Sequence, residues 1–152
     1  RFLFELYASV REDEISAWGW DSEQARSFLA MQWEMQRRSY ELQFPGARCH
    51  IIVKGGEKAG RCLVYQAEDY IRIVDISLLP RFRGQGLGTA VLQSILKEAG
   101  RLGRPVRLHV LAGNPARRLY ARLGFRETGA TELYVSMQWD HDIQSEKRGM
   151  MG

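Results

Sequence analysis

The stretch 78-LLPRFRGQGLGTAVLQSIL-96 decides the fold that this sequence predicts. It begins at the end of an apolar, strand-like segment, carries glycines at positions 84, 86 and 88, and continues as an amphipathic helix pattern. A helix that begins directly after a strand presents unpaired N–H groups and the positive end of its dipole at the turn. Because glycines let an anion approach that backbone closely, we expect a diphosphate to bind at Gly84–Gly88.

The glycine spacing differs from two common nucleotide-binding turns. It is neither the dinucleotide pattern G-x-G-x-x-G nor a P-loop, since no Gly-Lys-Ser/Thr follows. Between Arg81 and Arg126 there are ten basic residues and one acid, a balance of +9 in a chain of net charge +4, so the other residues sum to −5. This basic block favours an anionic ligand, with solvated helix faces as the alternative. For the glycine stretch itself, the alternative is a hairpin or turn without a ligand.

Strand and helix patterns extend outward from the glycine stretch. Three strands are expected before it, CHIIVK (49–54), GRCLVYQA (60–67) and YIRIVDISLL (70–79). After it we expect a helix from Thr89 to about Leu102, the strand PVRLHVL (105–111), a helix from Pro115 to Leu123, and the strands FRET (125–128) and ELYVSMQW (132–139). This order predicts an α/β (α+β) domain with a mixed sheet and helices on both faces.

The N-terminal third is predicted to be helical. A short helix over residues 2–10 precedes a polar stretch, Arg11 to Ser16, and a long helix capped by Asp21 or Ser22 runs to about Leu42. The chain opens on Arg1, so a first strand upstream is expected to be missing. We expect one domain over residues 1–140 and a disordered tail over 141–152.

Length and composition exclude several classes of protein. A chain of 152 residues, 45% of them hydrophobic, buries a core without disulfides or metals, and no apolar run is long enough to span a bilayer. The two cysteines, Cys49 and Cys62, have no CxxC spacing, and we expect no secretory leader. We therefore expect a cytoplasmic protein without a metal site.

The segment 114-NPARRLYARLGF-125 predicts a short, sharply bounded helix. Asn114 is a favourable cap, proline occupies the first helical position, and Gly124 ends the helix. Tyr120 is rotated by about 100° from the core-facing Leu119, so its hydroxyl could face a cleft. A structural tyrosine that fills a seam is the alternative.

These two stretches together resemble the GNAT superfamily of N-acetyltransferases. Arg83-x-x-Gly86-x-Gly88 is similar to the acyl-CoA motif of that family, and the segment from Asn114 to Phe125, with Asn114, Ala116, Tyr120 and Gly124-Phe125, is similar to its second motif. The resemblance covers residues 48–139 and extends to the N-terminal helices in outline. It implies a GNAT-like, mostly antiparallel sheet in which a parallel central strand pair holds the cofactor, and an enzyme that moves an acetyl group from acetyl-CoA to a primary amine by direct attack in a ternary complex.

The resemblance also implies which residues meet acetyl-CoA. Leu78 and Leu79 would turn backbone groups to the pantetheine arm, with one N–H polarising the thioester carbonyl. Main-chain groups would hold the pyrophosphate at Arg83, Gly84, Gln85, Gly86, Leu87 and Gly88, with Thr89 opening the helix beneath. Asn114 would bond the pantetheine arm, with Ala116 and Arg117 beside the cofactor. Tyr120 would protonate the departing thiolate.

The general base departs from the family pattern. The family often places a glutamate at the position of Arg72, and arginine cannot accept a proton at neutral pH. Asp75 is the nearest carboxylate on that strand, and we expect it to meet Arg107 or His109 of the neighbouring strand. Two roles are open: a structural ion pair or hydrogen bond, or removal of the acceptor's proton by Asp75 directly or through His109 and water.

Other functions fit the sequence less well. A nucleophilic enzyme is disfavoured because G-x-S-x-G is absent and Cys62 lies within an apolar strand. The main alternative is an acyl-CoA-binding sensor without turnover; a nucleic-acid binder is disfavoured because the basic block has no aromatic-interleaved sheet motif. We expect acetyl-CoA and an amine acceptor as partners, no nucleic acid and no membrane, and leave a homodimer open. The acceptor is expected to be a small amine or amino-acid-like molecule rather than a protein. The resemblance implies that the N-terminal helices help to shape the amine site; a cationic amine would suit their acids, and a solvated charged surface is the alternative.

Overall fold

The computed structural model describes residues 1–141, apart from the side chain of Asp13. Its helices are α1 (Phe2–Ser16), α2 (Ser22–Gln43), α3 (Leu87–Leu102) and α4 (Ala116–Arg122). Its strands are β1 (Arg48–Lys54), β2 (Glu57–Gln66), β3 (Ile71–Leu78), β4 (Val106–Leu111), β5 (Arg126–Ala130) and β6 (Tyr134–Trp139), and a 3₁₀ turn covers Pro80–Phe82. Apart from His141, the tail expected at 141–152 lies outside the described residues.

The strands form one sheet in the order β1-β2-β3-β4-β6-β5. β3 and β4 run parallel, whereas β1 with β2, β4 with β6, and β5 with β6 are antiparallel. The predicted mixed, mostly antiparallel sheet with a parallel central pair is therefore confirmed. The chain divides into two compact units, Arg1–Tyr65 with Asp75–Gln85, and Gln66–Val74 with the residues from Gly86 onward, so that β3 belongs to both.

In the first unit, the expected N-terminal helix is longer than the sequence indicates. It was expected to end near Val10, but α1 continues through the polar residues to Ser16. Arg11 supports this extension by donating to the Tyr7 hydroxyl at 2.7 Å and to Glu14 at 3.3 Å, and Ile15 is buried at its end. α2 begins where it was expected, because Asp21 and Gln24 form a capping box.

Also in the first unit, β2 and the end of β3 approach each other unusually closely at Gly60. A Cβ atom at this position would lie 2.0 Å from the carbonyl oxygen of Ser77 and 3.0 Å from the Cα of Leu78. Both obstacles are backbone atoms, so no side-chain movement relieves the overlap. Gly60 is therefore required for β2 to lie against the strand end that leads into the glycine stretch.

In the second unit, the registers place apolar residues on one face of the parallel pair. Ile71 lies beside Val106 and Ile73 beside Leu108, and all four side chains are buried. α3 contributes a buried stripe of Leu92, Leu96 and Ala99 and ends at Gly103, which adopts the left-handed conformation.

Candidate active site

The glycine turn after β3 is open to a ligand along its backbone. Gly84 and Gly86 have φ values of +73° and +81°, a region that costs other residues about 1 kcal/mol or more. No heavy atom lies within 4 Å of a Cβ placed on Gly84, Gly86 or Gly88. The N-cap residue of α3 is Gly86, which has no side chain that could cover the N–H groups of the first turn. The turn therefore fits the diphosphate that the sequence predicts.

Side chains hold the approach to this turn in place. Arg83 Nε donates to the carbonyl oxygen of Leu78 at 3.0 Å, and Gln85 Nε2 donates to that of Arg81 at 2.8 Å. The N–H of Leu79 donates to the carbonyl oxygen of Ala59 at 2.8 Å. The resemblance implies that the N–H of Leu78 or of Leu79 polarises the thioester carbonyl. Of these two, the Leu79 N–H is already hydrogen-bonded to β2.

Asp75 has a different partner from the one expected. Its Oδ2 accepts hydrogen bonds from Arg61 Nε at 2.9 Å and from the Ser77 hydroxyl at 3.0 Å. The side chains of Arg61 and Asp75 are only 13% and 28% exposed, so the ion pair is largely shielded from solvent. The expectation that Asp75 meets Arg107 or His109 is wrong.

The alternation of side chains along β3 explains this correction. Arg72 is the register partner of Arg107, so these two share a face of the parallel pair. Asp75 lies three residues beyond Arg72 and points to the opposite face of the strand. Arg107 instead donates from Nε to Gln138 at 3.0 Å and stacks over the Tyr70 ring, 4.4 Å from its centroid.

His109 lies on β4, on the same face of the pair as Arg72. His109 lies at an exposed position of β4, where desolvation of its imidazole, aided by the positive charge of Arg72, lowers its pKa below the ordinary value of 6.5. The imidazole is therefore neutral at pH 7 and able to accept a proton.

The second motif folds as expected. Asn114 Oδ1 accepts a hydrogen bond from the N–H of Ala116 at 2.9 Å and so supports the start of α4. Arg117 donates to the carbonyl oxygen of Ala112 at 2.6 Å and to Glu127 at 2.5 Å, which ties α4 to β5. The ring of Tyr120 is buried and lies 5.7 Å from that of Phe125, centroid to centroid. This packing holds the phenol in one orientation, which a structural role and a proton donor both require.

Sequence reasoning missed Arg61, which also lines a cavity of about 400 Å³ in the first unit. The cavity wall is aromatic, with Trp33, Tyr40 and Phe44 on one side and Leu63 on the strand side. A lone arginine within the apolar run of β2 is the signal that could have marked it as the counter-charge of Asp75.

Three further observations concern the Cys62 thiol, metal binding and membrane spans. Burial raises the pKa of the Cys62 thiol to about 12, with a smaller contribution from the charge of Asp75, so this thiol is not a nucleophile at neutral pH. Within residues 1–141 no group of three or more His, Cys, Asp or Glu could hold a metal ion. None of the helices in this range has both the length and the apolar composition needed to cross a membrane.

Comparison with known families gives one domain match. Residues 7–125 match the family described as "Acetyltransferase (GNAT) family". A Bacillus subtilis (strain 168) protein, provisionally named a ribosomal protein bS18-alanine N-acetyltransferase, is 32% identical over 100 residues. That match covers 62% of this chain and 64% of the relative, so it spans just under two thirds of the relative's length.

Solved structures share the fold at low identity. PaiA N-acetyltransferase from Thermoplasma acidophilum, in complex with coenzyme A, superposes with a TM-score of 0.67 at 14% identity, over 91% of this chain and 90% of that one. The ribosomal-protein-S18-alanine N-acetyltransferase from Escherichia coli gives a TM-score of 0.59 at 23% identity, over 68% and 75%. A family acetyltransferase from Elizabethkingia anophelis with acetyl-CoA bound gives 0.59 at 14% identity, over 69% and 82%.

Proposed function

The chain belongs to the GNAT acetyltransferase family, an acetyl-CoA-dependent class, and we propose that it moves the acetyl group to the nitrogen of a primary amine by direct attack. The observation that carries the proposal is the open glycine turn at the start of α3. In a chain of this family, that turn is the place for the pyrophosphate of acetyl-CoA.

The proposed binding residues follow the two motifs. Backbone N–H groups between Arg83 and Thr89 would receive the pyrophosphate, since the glycines leave room and the helix dipole favours negative charge. The pantetheine arm would meet the end of β3 and Asn114. For the thioester carbonyl we propose the Leu78 N–H, because the Leu79 N–H is bonded to Ala59.

The reaction requires three proton movements. Acetyl-CoA supplies an activated acetyl group, and its thiolate must gain a proton when the C–S bond breaks. The ammonium form of the acceptor must lose one proton before its nitrogen can form the new C–N bond, and the nitrogen loses a second proton as the amide forms, which balances the proton gained by the thiolate. We assign the donor role to the Tyr120 hydroxyl and the acceptor role to His109, directly or through water.

The assignment of His109 rather than Asp75 rests on geometry. The Asp75 carboxylate already accepts hydrogen bonds from Arg61 and Ser77, which suits a structural role. His109 lies beside Arg72, the position where the family often has its glutamate, and its lowered pKa keeps it neutral. The expected signature is a kcat/KM that falls as pH drops through this lowered pKa, because the protonated imidazole cannot accept a proton.

For the acceptor, the relatives and the sequence favour different amines. The two relatives named for ribosomal protein S18 alanine support a polypeptide amine, whereas the sequence favoured a small amine or amino-acid-like molecule. We propose the polypeptide amine, with the small amine as the second candidate. A cytoplasmic setting remains part of the proposal, supported by the free thiols of Cys49 and Cys62.

A thermal-shift titration with acetyl-CoA tests the proposed cofactor site. Ligand at about 100 times Kd stabilises a protein by roughly 2.7 kcal/mol, which raises Tm by about 5–10 °C for a chain of this size. Gly88→Asp should leave the fold stable, because the site is open and an acid suits the first turn of a helix, yet it should abolish the shift by repelling the pyrophosphate. Gly129→Asp, at an equally open glycine of β5, is the matched control and should keep the shift.

The outcome separates an enzyme from a sensor. A shift that Gly88→Asp removes, together with acetylated product from an amine panel, supports the enzyme. The same shift without product from any amine supports the acyl-CoA-binding sensor. An undiminished shift in folded Gly88→Asp would place the pyrophosphate elsewhere.

A further inference from the structure

Two tryptophans are exposed on a surface where α1 meets α2. Trp18 and Trp20 are 44% and 43% exposed and pack edge to face, with ring centroids 5.3 Å apart. Both also contact Phe28 edge to face, at 5.6 and 5.2 Å. We call these three residues the aromatic patch. Its rings brace one another, so its exposed area is held rigid.

The sequence around the aromatic patch is acidic overall. Residues 11–26 contain five acids and two arginines, a net charge of −3, and the Arg11 guanidinium lies over the Phe28 ring, 6.0 Å from its centroid. Asp21 is used as the cap of α2, and Glu14 accepts a hydrogen bond from Arg11. Glu12 and Glu23 are both exposed. An exposed apolar patch in such surroundings has charge complementarity with a cation rather than with an anion or a neutral apolar surface.

Trp20 forms a wall shared by two open grooves of the first unit. One groove, of about 430 Å³, lies between the helices and carries Glu5 and Glu12, with Arg26 paired to Glu5 at 2.8 Å. The other, of about 470 Å³, is lined by Asp21 and Glu23. A cation in either groove would face carboxylates and lie close to the indole of Trp20, which offers a cation–π contact.

We propose that the aromatic patch and its two grooves dock a Lys- and Arg-rich segment of a polypeptide. The inference rests on the proposed function in one respect, since it takes the docked chain to be part of the acceptor. Two open grooves that share the Trp20 indole as a wall suit successive basic side chains of an extended chain. A free small amine would fill only one groove and would leave the exposed Trp18 uncovered.

Direct peptide binding in the absence of acetyl-CoA tests this docking surface. The probe is a fluorescein-labelled 12-residue peptide of alternating Lys and Ala, followed by anisotropy at low salt and then with added NaCl. Trp20→Ala and the double variant Glu12→Gln/Glu23→Gln should each weaken binding by about fivefold or more. Binding should also weaken steeply with salt, because the charges are exposed.

Matched controls isolate the patch from general electrostatics and from unfolding. Met31→Ala removes an exposed side chain of α2 outside the patch, and Glu68→Gln/Glu132→Gln makes the same change in net charge at other exposed positions. Both should bind as the parent does. Far-UV circular dichroism establishes whether each variant is folded. If Trp20→Ala is unfolded, the glutamate variants still test the docking surface.

Three results would overturn the docking surface: unchanged affinity in both patch variants, equal weakening by the matched charge control, or spermine competing as tightly as the peptide. The last result would indicate a site for small polycations. Because no acetyl-CoA is present, these outcomes are independent of the cofactor site. If the protein shows no thermal shift with acetyl-CoA but binds the peptide, the proposed function fails and the docking surface stands. If it shows the shift but does not bind the peptide, the docking surface fails alone.

Discussion

Replacing Asp75 by Asn should destabilise the protein while leaving the acidic limb of its pH profile in place. The substitution removes the charge that pairs with Arg61, whose side chain is only 13% exposed. Hydrogen bonds to charged groups contribute about 1.5–3 kcal/mol to the free energy of unfolding. The Arg61–Asp75 pair is intermediate in burial between a surface ion pair and a fully buried one. We therefore expect a loss of about 2 kcal/mol and a decrease in Tm of roughly 4–8 °C.

Two measurements decide between a structural and a catalytic Asp75. Urea unfolding of Asp75→Asn, Arg61→Gln and the double variant forms a cycle in which a coupling energy of about 1 kcal/mol or more indicates a direct pair. The pH dependence of kcat/KM for Asp75→Asn should keep the acidic limb that we assign to His109. Unchanged stability with a lost acidic limb would refute this reasoning and make Asp75 the base.

Three other substitutions and modifications test separate parts of the structure. Gly60→Ala should cost about 3–5 kcal/mol in unfolding experiments, because the new Cβ meets the backbone of β3, whereas Gly129→Ala should change stability little. A thiol reagent at pH 8 should modify the exposed Cys49 quickly and Cys62 only on unfolding, since burial raises the pKa of Cys62 to about 12; fast labelling of both would contradict this. Tyr120→Phe should lower kcat by about tenfold to a thousandfold with little change in acetyl-CoA affinity, and wild-type turnover would leave Tyr120 a packing role only.

Much of the fold could be predicted because its signals are local. The glycine turn, the cap at Asp21 and the alternation along each strand depend on neighbours in sequence, and the structure places the elements other than α1 within a few residues of their expected ends. The prediction ended α1 too early although part of the signal is local, since Tyr7, Arg11 and Glu14 are spaced at i,i+4 and i,i+3. The burial of Ile15 depends on tertiary packing and could not be predicted in this way.

The partner of Asp75 shows where sequence information ends. Alternation along β3 predicts which residues share a face of that strand, but it does not give the register between strands. With the register known, Arg72 lies beside Arg107, and Asp75 belongs to the other face. The contact with Arg61 is formed across strands that the sequence pattern identifies but cannot align.

We propose that this chain transfers the acetyl group of acetyl-CoA to an amine. Mass spectrometry of a reaction with acetyl-CoA and a panel of peptides and small amines measures this transfer directly. Released coenzyme A is measured in parallel with the Cys49→Ser variant, because the exposed thiol of Cys49 would otherwise react in a thiol assay. We expect an acceptor heavier by one acetyl group, in amounts equal to the coenzyme A released, and loss of both products with Gly88→Asp but not with Gly129→Asp. Intact acetyl-CoA and no acetylated acceptor with the folded parent protein would contradict acetyl transfer, whereas product that forms equally well with folded Gly88→Asp would place the pyrophosphate elsewhere.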